Sequence, residues 1–335
     1  MAAPRAYILG CAGPDLTDAE HRFFAEADPW GFILFARNVD TPDRLRRLTA
    51  DLRQAVGRAA PILIDQEGGR VQRLTPPHWR AWLPPLDQVT AAGPGGAERS
   101  MYLRGRLIAA ELHAVGIDVN CAPMADIADD ETHPFLRNRC YGTTVASVLS
   151  AARAMAGGLL DGGVLPVVKH IPGHGRGRVD SHLALPVVAA SRDELERDFA
   201  PFRGLADLPL GMTAHVVYRA LDDRPATQSP PVISLIRDRI GFDGLLMTDD
   251  ISMQALNGDV VDRGRAALAA GCDLILHCNG DPREMAALAG AVGPLSASAQ
   301  GRAERALARR VPPVPIDIAA AEAELGALLK GQGNG

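Results

Sequence analysis

Charged and histidine side chains stand at the ends of several apolar runs in this sequence. Groups of these types can hold a polar substrate, attack a carbon atom or transfer a proton. If the runs are parallel strands of one barrel, all of these groups meet at the same end, where barrel enzymes have their active sites. The candidates are Asp65 with the nearby Glu67, Lys169-His170, His215 and Asp249-Asp250.

A glycine-rich loop leads from Lys169-His170 to a second pair of candidates. Its glycines, at 173, 175 and 177, make the backbone conformationally permissive, and the loop continues to Asp180 and His182. An aspartate two residues before a histidine can accept a hydrogen bond from the ring, which fixes the tautomer and raises the basicity of the imidazole. Such a histidine can act as a general acid and then as a general base. The same pattern also occurs as a plain surface feature, so it does not establish a site by itself.

Metal binding is a competing interpretation of the histidines. His170, His174, Asp180, His182 and His215 could be assembled as ligands. In true His-x-x-x-His sites both imidazoles lie on one face of a helix, whereas His170 is expected at a strand end and His174 in a loop. We therefore expect no metal and no other cofactor.

Eight apolar runs indicate the architecture. Most lack polar alternation, which is typical of strands buried on both faces. Helical patterns lie between them, and two of these begin with the capping-box spacings Thr17-x-x-Glu20 and Ser191-x-x-Glu194. The runs cover residues 7–11, 31–35, 61–65, 116–124, 165–170, 208–215, 244–250 and 273–278.

Eightfold alternation of strand and helix predicts an α/β fold, a single (β/α)8 barrel of the TIM type. A doubly wound open sheet is the alternative, but no Gly-x-Gly-x-x-Gly or Walker-type loop supports nucleotide binding. We expect residues 1–330 to form one catalytic domain and residues 331–335 to be a disordered tail.

The composition is that of an ordinary soluble enzyme. The 335 residues are 47% hydrophobic and 22% charged, with a net charge of −5, which gives no indication of a nucleic acid or membrane partner. Five cysteines without a Cys-x-x-Cys pair indicate reduced thiols. The first residues show no signal-peptide pattern, so a cytoplasmic location is expected, and the protein is expected to be a monomer.

Four ordered blocks of the sequence resemble glycoside hydrolase family 3, and in particular its single-domain bacterial β-N-acetylglucosaminidases of peptidoglycan recycling. The resemblance extends from about residue 31 to about residue 279. The blocks are Ile64-Asp-Gln-Glu-Gly-Gly-Arg-Val-Gln-Arg73, Lys169-His-Ile-Pro-Gly-His-Gly175 with Asp180-Ser-His182, Met212-Thr-Ala-His215, and Gly241-Phe-Asp-Gly244 with Thr248-Asp-Asp-Ile-Ser-Met253.

The resemblance implies a role for each matching residue. Asp249 corresponds to the family's nucleophile, His182 to its acid/base and Asp180 to the partner of that histidine. The residues that correspond to sugar contacts are Asp65, Arg73, Arg139, Lys169 and His170.

Two segments depart from the family's pattern. Arg139 lies in Asn138-Arg-Cys-Tyr-Gly142, where Cys140 and Tyr141 replace the family's Ser and Phe. The loop before Asp180 contains Arg176 and Arg178, where relatives often carry acidic or small residues. These arginines could bias the loop toward anionic groups.

The reaction implied by the resemblance is retaining exo-hydrolysis of terminal β-linked N-acetylglucosamine. The expected partner is a small substrate, a GlcNAc-1,6-anhydro-MurNAc(-peptide) fragment of the cell wall. The reaction is a double displacement, in which an aspartate attacks and a histidine serves as acid and then base. Because the acid/base is on a glycine-rich loop, we expect it to move during turnover.

Several neighbouring residues leave alternatives open. Asp250 could be mistaken for the nucleophile, since consecutive strand residues face opposite sides and spacing alone does not choose between it and Asp249. Glu67 is expected to have a structural loop role. Asp273, His277 and Asn279 could line the pocket or merely cap it.

Three other functions remain in competition with the hydrolase. A β-N-acetylglucosaminide phosphorylase would use phosphate in place of water, which Arg176 and Arg178 could favour by charge. A family-3 β-glucosidase or β-xylosidase usually has a second domain that supplies its acid/base. A non-catalytic sugar-binding barrel would have lost catalytic residues, whereas all of the matching residues are present here.

Overall fold

A computed structural model describes residues 3–179 and 185–330 of the chain. Within these residues eight parallel strands close into a barrel, with each strand beside its neighbours in the sequence and the last beside the first. The predicted (β/α)8 fold is therefore confirmed. The strands are β1 (Arg5–Gly10), β2 (Pro29–Leu34), β3 (Ile62–Ile64), β4 (Val119–Asn120), β5 (Leu165–Ile171), β6 (Leu210–Thr213), β7 (Leu245–Asp250) and β8 (Leu274–His277).

Each strand falls within or overlaps one of the eight apolar runs of the sequence. All six residues of β2 and all seven of β5 are buried. Such complete burial is expected because the barrel core covers one face of each strand and the helices cover the other. The absence of polar alternation in the sequence follows from this arrangement.

Helices surround the barrel, and their first turns follow the capping signals of the sequence. Thr17 and Ser191 each accept a hydrogen bond from the backbone N–H of a glutamate three residues later, as their spacing predicts. The helices are α1 (Asp18–Ala27), α2 (Pro42–Ala55), α3 (Pro85–Ala114, kinked at Gly93), α4 (Pro134–Arg137), α5 (Val145–Asp161), α6 (Arg192–Arg203), α7 (Pro230–Leu235), α8 (Val260–Ala270), α9 (Pro282–Ala291), α10 (Ala297–Ala308) and α11 (Ile318–Lys330).

Two short ribbons are formed by segments that follow the C-terminal ends of barrel strands. Beyond β3, Gln66–Gly68 pairs with Val71–Gln72 in an antiparallel ribbon, and Val187–Val188 pairs with Val217–Tyr218 farther along the chain. No helix among the described residues is long and apolar enough to cross a membrane.

Aspartates and arginines meet at the N-terminal end of the barrel. Asp273 precedes β8, and its carboxylate lies 2.7 Å from Arg237 and 3.1 Å from Arg302. Asp273 therefore lies at the end of the barrel opposite to the polar strand ends.

His277 lies at the C-terminal end of β8. It is buried, and its Nε2 lies 2.8 Å from Glu284.

Candidate active site

A cavity of about 420 Å³ opens at the C-terminal end of the barrel. This is the end at which barrel enzymes place their catalytic groups. The polar residues that line it are Asp65, Arg70, Arg73, Arg139, Lys169, His170, His174, Asp249 and Asp250, and its apolar lining includes Ile33, Phe35, Phe135, Met212, Met253 and Leu276.

Asp65 lies just beyond β3 and is held by two cations. Its Oδ1 is 2.9 Å from Nζ of Lys169, at the end of β5, and its Oδ2 is 3.1 Å from Nη2 of Arg73. Burial by itself raises the pKa of Asp65, but the two cations outweigh burial and hold the pKa well below its usual range. The carboxylate is therefore ionised and can accept hydrogen bonds from hydroxyl groups of a substrate.

Glu67 joins the same cluster from beneath the cavity. It forms a two-pronged ion pair with Arg139, in which Nε lies 3.0 Å from Oε2 and Nη2 lies 2.8 Å from Oε1. Its Oε1 also lies 2.6 Å from Nζ of Lys169. Glu67 was expected only to support its loop, and nothing in the sequence reveals partners that lie 72 and more residues away.

An unpredicted aspartate orients His170. Asp126 is fully buried beyond β4, and its Oδ2 lies 2.8 Å from Nδ1 of His170. Its Oδ1 accepts the backbone N–H of His174 at 2.5 Å. Since Nδ1 of His170 is occupied, this ring meets a ligand through Nε2. The available signal is a carboxylate two residues after the fourth predicted strand, in Met124-Ala-Asp126.

His174 is buried beside His170 and lines the cavity. Neither of its ring nitrogens has a hydrogen-bond partner among the described residues. Burial, reinforced by the nearby His170, lowers the pKa of His174 to about 4, so its ring is neutral at pH 7. A buried polar group of this kind ordinarily has a partner, such as water or a ligand.

The two aspartates at the end of β7 have different environments. Asp250 accepts hydrogen bonds from the backbone N–H and the hydroxyl of Ser252, at 3.0 and 2.6 Å, and from the backbone N–H of Cys278 at 3.2 Å. Asp249 accepts only the backbone N–H of Asp250, at 2.8 Å, among the contacts of the described residues. Asp249 therefore has the carboxylate that remains available to a ligand in the cavity.

The charge state of Asp249 suits a nucleophile. Burial by itself raises the pKa of Asp249, but the imidazoles of His215 and His170 and the backbone N–H of Asp250 outweigh burial and hold it below the ordinary value. Both ring nitrogens of His215 are already used, at 2.8 Å from Thr227 Oγ1 and 3.0 Å from the carbonyl oxygen of Asp250. His215 thus supports the end of β7 and is not free to bind a metal or a substrate.

The first half of the glycine-rich loop is fixed by close contacts. The hydroxyl of Tyr218 donates to the carbonyl oxygen of Gly173 at 2.6 Å, and the hydroxyl of Thr132 donates to that of Gly175, also at 2.6 Å. A Cβ atom on Gly175 would overlap the carbonyl oxygen of Ile127. Glycine is required there because the backbones approach closely, and conformational freedom is not the reason.

Arg176 and Arg178 are both ion-paired. Nε of Arg176 lies 2.5 Å from Asp198 on α6, and Arg178 pairs with Glu131. The loop reaches Val179 in the described part of the chain. Asp180 and His182 lie outside the described residues, so their expected pairing remains a prediction.

The metal interpretation can be assessed only for the described histidines. Within residues 3–179 and 185–330, no group of three or more His, Cys, Asp or Glu side chains is arranged to hold a metal ion. His170 is engaged with Asp126, and His215 with Thr227.

The cavity at the C-terminal end of this barrel combines an open carboxylate with ion-paired groups that can bind a polar ligand, which is an arrangement suited to a glycoside hydrolase. Residues 17–311 match the model of the glycosyl hydrolase family 3 N-terminal domain. The chain belongs to glycosyl hydrolase family 3.

Individual relatives agree with this assignment. A β-hexosaminidase of Methylococcus capsulatus is 39% identical over 282 residues, which cover 81% of this chain and 82% of the relative. The crystal structure of native NagZ from Neisseria gonorrhoeae aligns with a TM-score of 0.86 at 32% identity, over 98% of both chains. The same enzyme in complex with N-trifluoroacetyl-D-glucosamine aligns with a TM-score of 0.85 at 31% identity, over 98% of this chain and 99% of that one. The predicted family and the predicted class of enzyme, a glycoside hydrolase of the β-N-acetylhexosaminidase type, are thereby confirmed.

Proposed function

We propose that this protein is a retaining exo-β-N-acetylglucosaminidase, which removes a terminal non-reducing β-linked N-acetylglucosamine residue. The observation that carries the proposal is the cavity in which the open carboxylate of Asp249 shares one chamber with the Asp65–Lys169–Arg73 ion pairs. The neighbour in complex with N-trifluoroacetyl-D-glucosamine supports a glycone that carries an amide.

In the first step Asp249 attacks the anomeric carbon. An ester bond forms between this carboxylate and the sugar while the bond to the leaving oxygen breaks. His182, oriented by Asp180, gives its proton to that oxygen. In the second step His182 takes a proton from water, the water oxygen attacks the anomeric carbon, and the ester breaks to restore Asp249. The two inversions together retain the β configuration.

The remaining polar residues hold the sugar. Asp65 accepts hydrogen bonds from hydroxyl groups, while Arg73, Arg139, Lys169 and His170 donate them. Holding the ring against Asp249 converts the attack into an intramolecular step, which accounts for a large part of the rate enhancement in such sites. Ile33, Met212 and Leu276 of the barrel strands also line the cavity. Because the interior of such a barrel is a packed core and not a pore, the end of a glycan chain fits better than its middle.

The substrate in this proposal is a soluble cell-wall fragment, GlcNAc linked to 1,6-anhydro-MurNAc with or without its peptide. The proposed location is the cytoplasm and the proposed state is a monomer. The solved relative named NagZ and the β-hexosaminidase relatives support an amino-sugar substrate.

An assay of two matched substrates tests the activity. Nitrophenyl β-N-acetylglucosaminide should be hydrolysed much faster than nitrophenyl β-glucoside, and proton NMR of the early product should show the β-anomer first. A faster glucoside reaction would favour the glucosidase alternative. An α-anomer as first product would exclude the double displacement.

The acid/base assignment has its own test. His182→Ala should slow cleavage of a poor leaving group, such as a second sugar, far more than cleavage of a nitrophenolate. A nitrophenolate needs little protonation, so only the first substrate depends on the acid. Equal losses for both substrates would exclude His182 as the proton donor.

The phosphorylase alternative was favoured by the positive charges of Arg176 and Arg178, and the structure removes that argument. Arg176 and Arg178 each face a carboxylate, Asp198 and Glu131, so their charges are already compensated. Product release should therefore be independent of added inorganic phosphate, and a phosphate-dependent rate with formation of a sugar 1-phosphate would reverse this conclusion.

A further inference from the structure

Glu67 touches two residues of the cavity without lining the cavity itself. It is fully buried, whereas Arg139 and Lys169, which it contacts, both line the chamber. A substrate in the cavity therefore does not reach Glu67. Any effect of this carboxylate on the reaction passes through its two partners.

The contacts of Glu67 determine which donors remain for a ligand. The ammonium group of Lys169 donates to Asp65 at 2.9 Å, and its Nζ also lies 2.6 Å from Oε1 of Glu67. The two carboxylates together hold the ammonium group in place, and it has three N–H bonds with which to donate. Arg139 has five N–H bonds and uses its Nε and one Nη2 bond on Glu67. Its remaining donors lie on the other edge of the guanidinium group.

Glu67 is itself anchored from the outside of the barrel. Arg104, on α3, is fully buried and donates from Nε to the carbonyl oxygen of Glu67 at 3.1 Å. Its Nη2 donates to the carbonyl oxygen of Leu83 at 2.8 Å. The next residue, Gly68, has no room for a Cβ atom because it packs on this guanidinium group. The backbone position of Glu67 is thus held independently of its carboxylate.

The carboxylate is also needed to balance charge. Burial by itself raises the pKa of Glu67, but Arg139 and Lys169 outweigh burial and lower it to about 2, so the group is ionised at neutral pH. Burial by itself lowers the pKa of Lys169, but Asp65 and Glu67 outweigh it and keep the ammonium group charged. Without the charge of Glu67, two buried cations would repel each other and compete for Asp65.

We propose that Glu67 is a positioning residue, which holds the ammonium group of Lys169 and the free edge of Arg139 toward the hydroxyl groups of the bound sugar. This inference rests on the proposed function, since it takes Lys169 and Arg139 to be sugar contacts. It gives Glu67 a part in substrate affinity that the sequence did not indicate.

Kinetics of Glu67→Gln test the proposal, because glutamine keeps the size of the side chain and removes its charge. KM for nitrophenyl β-N-acetylglucosaminide should rise on the order of 10- to 100-fold, while kcat changes less than about threefold, as for loss of binding that is common to ground and transition states. Glu67→Asp keeps the charge but is too short to reach both partners, and its KM should lie between those of wild type and Glu67→Gln.

Glu111→Gln is the matched control. Glu111 lies on α3, away from the cavity, and pairs with Arg80 at 2.7 Å. It is also a partly buried, ion-paired glutamate, so the same substitution should lower the melting temperature and leave KM unchanged. An equal rise of KM in both variants would mean that the effect is one of general stability, which would overturn the proposal.

A double-mutant cycle separates positioning from an independent effect. If Glu67 acts through Arg139, then Glu67→Gln should raise KM much less in an Arg139→Ala background than in the wild type. Full additivity would overturn the proposal, as would an unchanged KM in a folded Glu67→Gln protein. Absence of wild-type turnover on the amino-sugar substrate would instead count against the proposed function. The same cycle would then be run on whichever glycoside the wild type cleaves.

Discussion

Both ends of the barrel bury carboxylates against cationic side chains, but they use them differently. At the N-terminal end, Asp118 pairs with Arg53 of α2 and with Arg310, at 3.0 and 2.6 Å, and it also accepts the backbone N–H of Ile62 at 2.7 Å. Asp273 is held in the same way, by ion pairs with Arg237 and Arg302 and by the backbone N–H of Leu246. The carboxylates there face the starts of strands, and the arginines come from the surrounding helices and from the segments that follow them.

At the C-terminal end the cations come from strand ends and from the loops that follow them. Lys169 lies near the C-terminal end of β5, Arg73 and Arg139 lie on loops, and all three line the cavity. Their ion pairs leave N–H donors unused, and His174 has no partner among the described residues. A cluster of buried charges therefore marks a functional site only where donors and acceptors remain open to a chamber.

Asp249 and Asp273 offer the sharpest contrast between the two ends. Asp249→Asn should lower kcat by at least about 10³-fold, because the ester intermediate cannot form, while the protein remains folded. Asp273→Asn should lower the melting temperature, since it weakens the pairs with Arg237 and Arg302, and should leave kcat unchanged. Steady-state kinetics with melting curves for both variants decide this, and near-normal turnover by Asp249→Asn would remove its assignment as nucleophile.

The second contrast is between Asp65 and Asp118. Asp65→Asn should lower kcat/KM roughly 10²-fold, because charge-assisted hydrogen bonds to the sugar are lost together with the ion pairs that orient Lys169 and Arg73. Asp118→Asn should leave kcat/KM within about twofold and lower the melting temperature. A loss of activity in Asp118→Asn that matches Asp65→Asn would show that the two ends are not functionally distinct.

As the pH falls, protonation of His174 should lower the stability of the protein before protonation of the ion-paired carboxylates does. The unfolded chain protonates this residue below about pH 6.5, whereas burial delays protonation of the folded protein to about pH 4. The unfolded state thus binds more protons between these values, and stability is full above pH 6.5 and falls as the pH drops toward 4. The contribution of Glu67, whose pKa is lowered to about 2, is lost only from about pH 4.5 downward.

Urea unfolding of the wild type and of His174→Asn between pH 7.5 and 5 measures how much His174 contributes to the pH dependence of the free energy of unfolding. The variant should lose less stability over that range than the wild type, because asparagine does not titrate. An identical pH dependence in both proteins would mean that another group is responsible.

The smallest effect is expected for the two loop arginines. Asp198 is nearly buried, and its pKa is raised by burial despite Arg176. Removal of Arg176 leaves this carboxylate without its cation, so Arg176→Ala should cost about 1–3 kcal/mol in the free energy of unfolding. Arg178 and Glu131 are 69% and 65% exposed, and Arg178→Ala should cost no more than about 0.5 kcal/mol. Thermal unfolding of both variants compares them, and a larger loss for Arg178→Ala would reverse the ranking.

The strand ends were predictable because apolar runs and the polar residues that follow them are local features of the sequence. Asp65, Lys169, His170 and Asp249 all line the cavity, as their positions predicted. The ion pairs among them were not predictable, since the partners are far apart in the chain and their distances depend on the closure of the barrel. The role of Asp126 was missed because it depends on a contact with the imidazole of His170, which lies 44 residues away in the sequence.

The glycines of the loop show a different limit of sequence reasoning. Glycine allows both unusual backbone angles and close approach, and the sequence does not separate the two. Gly173 has a φ of 138°, whereas Gly175 lies against the backbone of Ile127 without a positive φ. Motion of His182 during turnover remains a prediction, and it would require the contacts of Gly173 with Tyr218 and of Gly175 with Thr132 to stay in place or to break.

Gly175 has a consequence for the evolution of this loop. Because any side chain at that position meets the backbone of Ile127, the smallest mutational step is already a steric clash. A saturation library would therefore return glycine almost alone at 175, while the exposed Arg178 and Val179 would accept many residues. New specificities are therefore more accessible to selection at these two exposed positions than at Gly175.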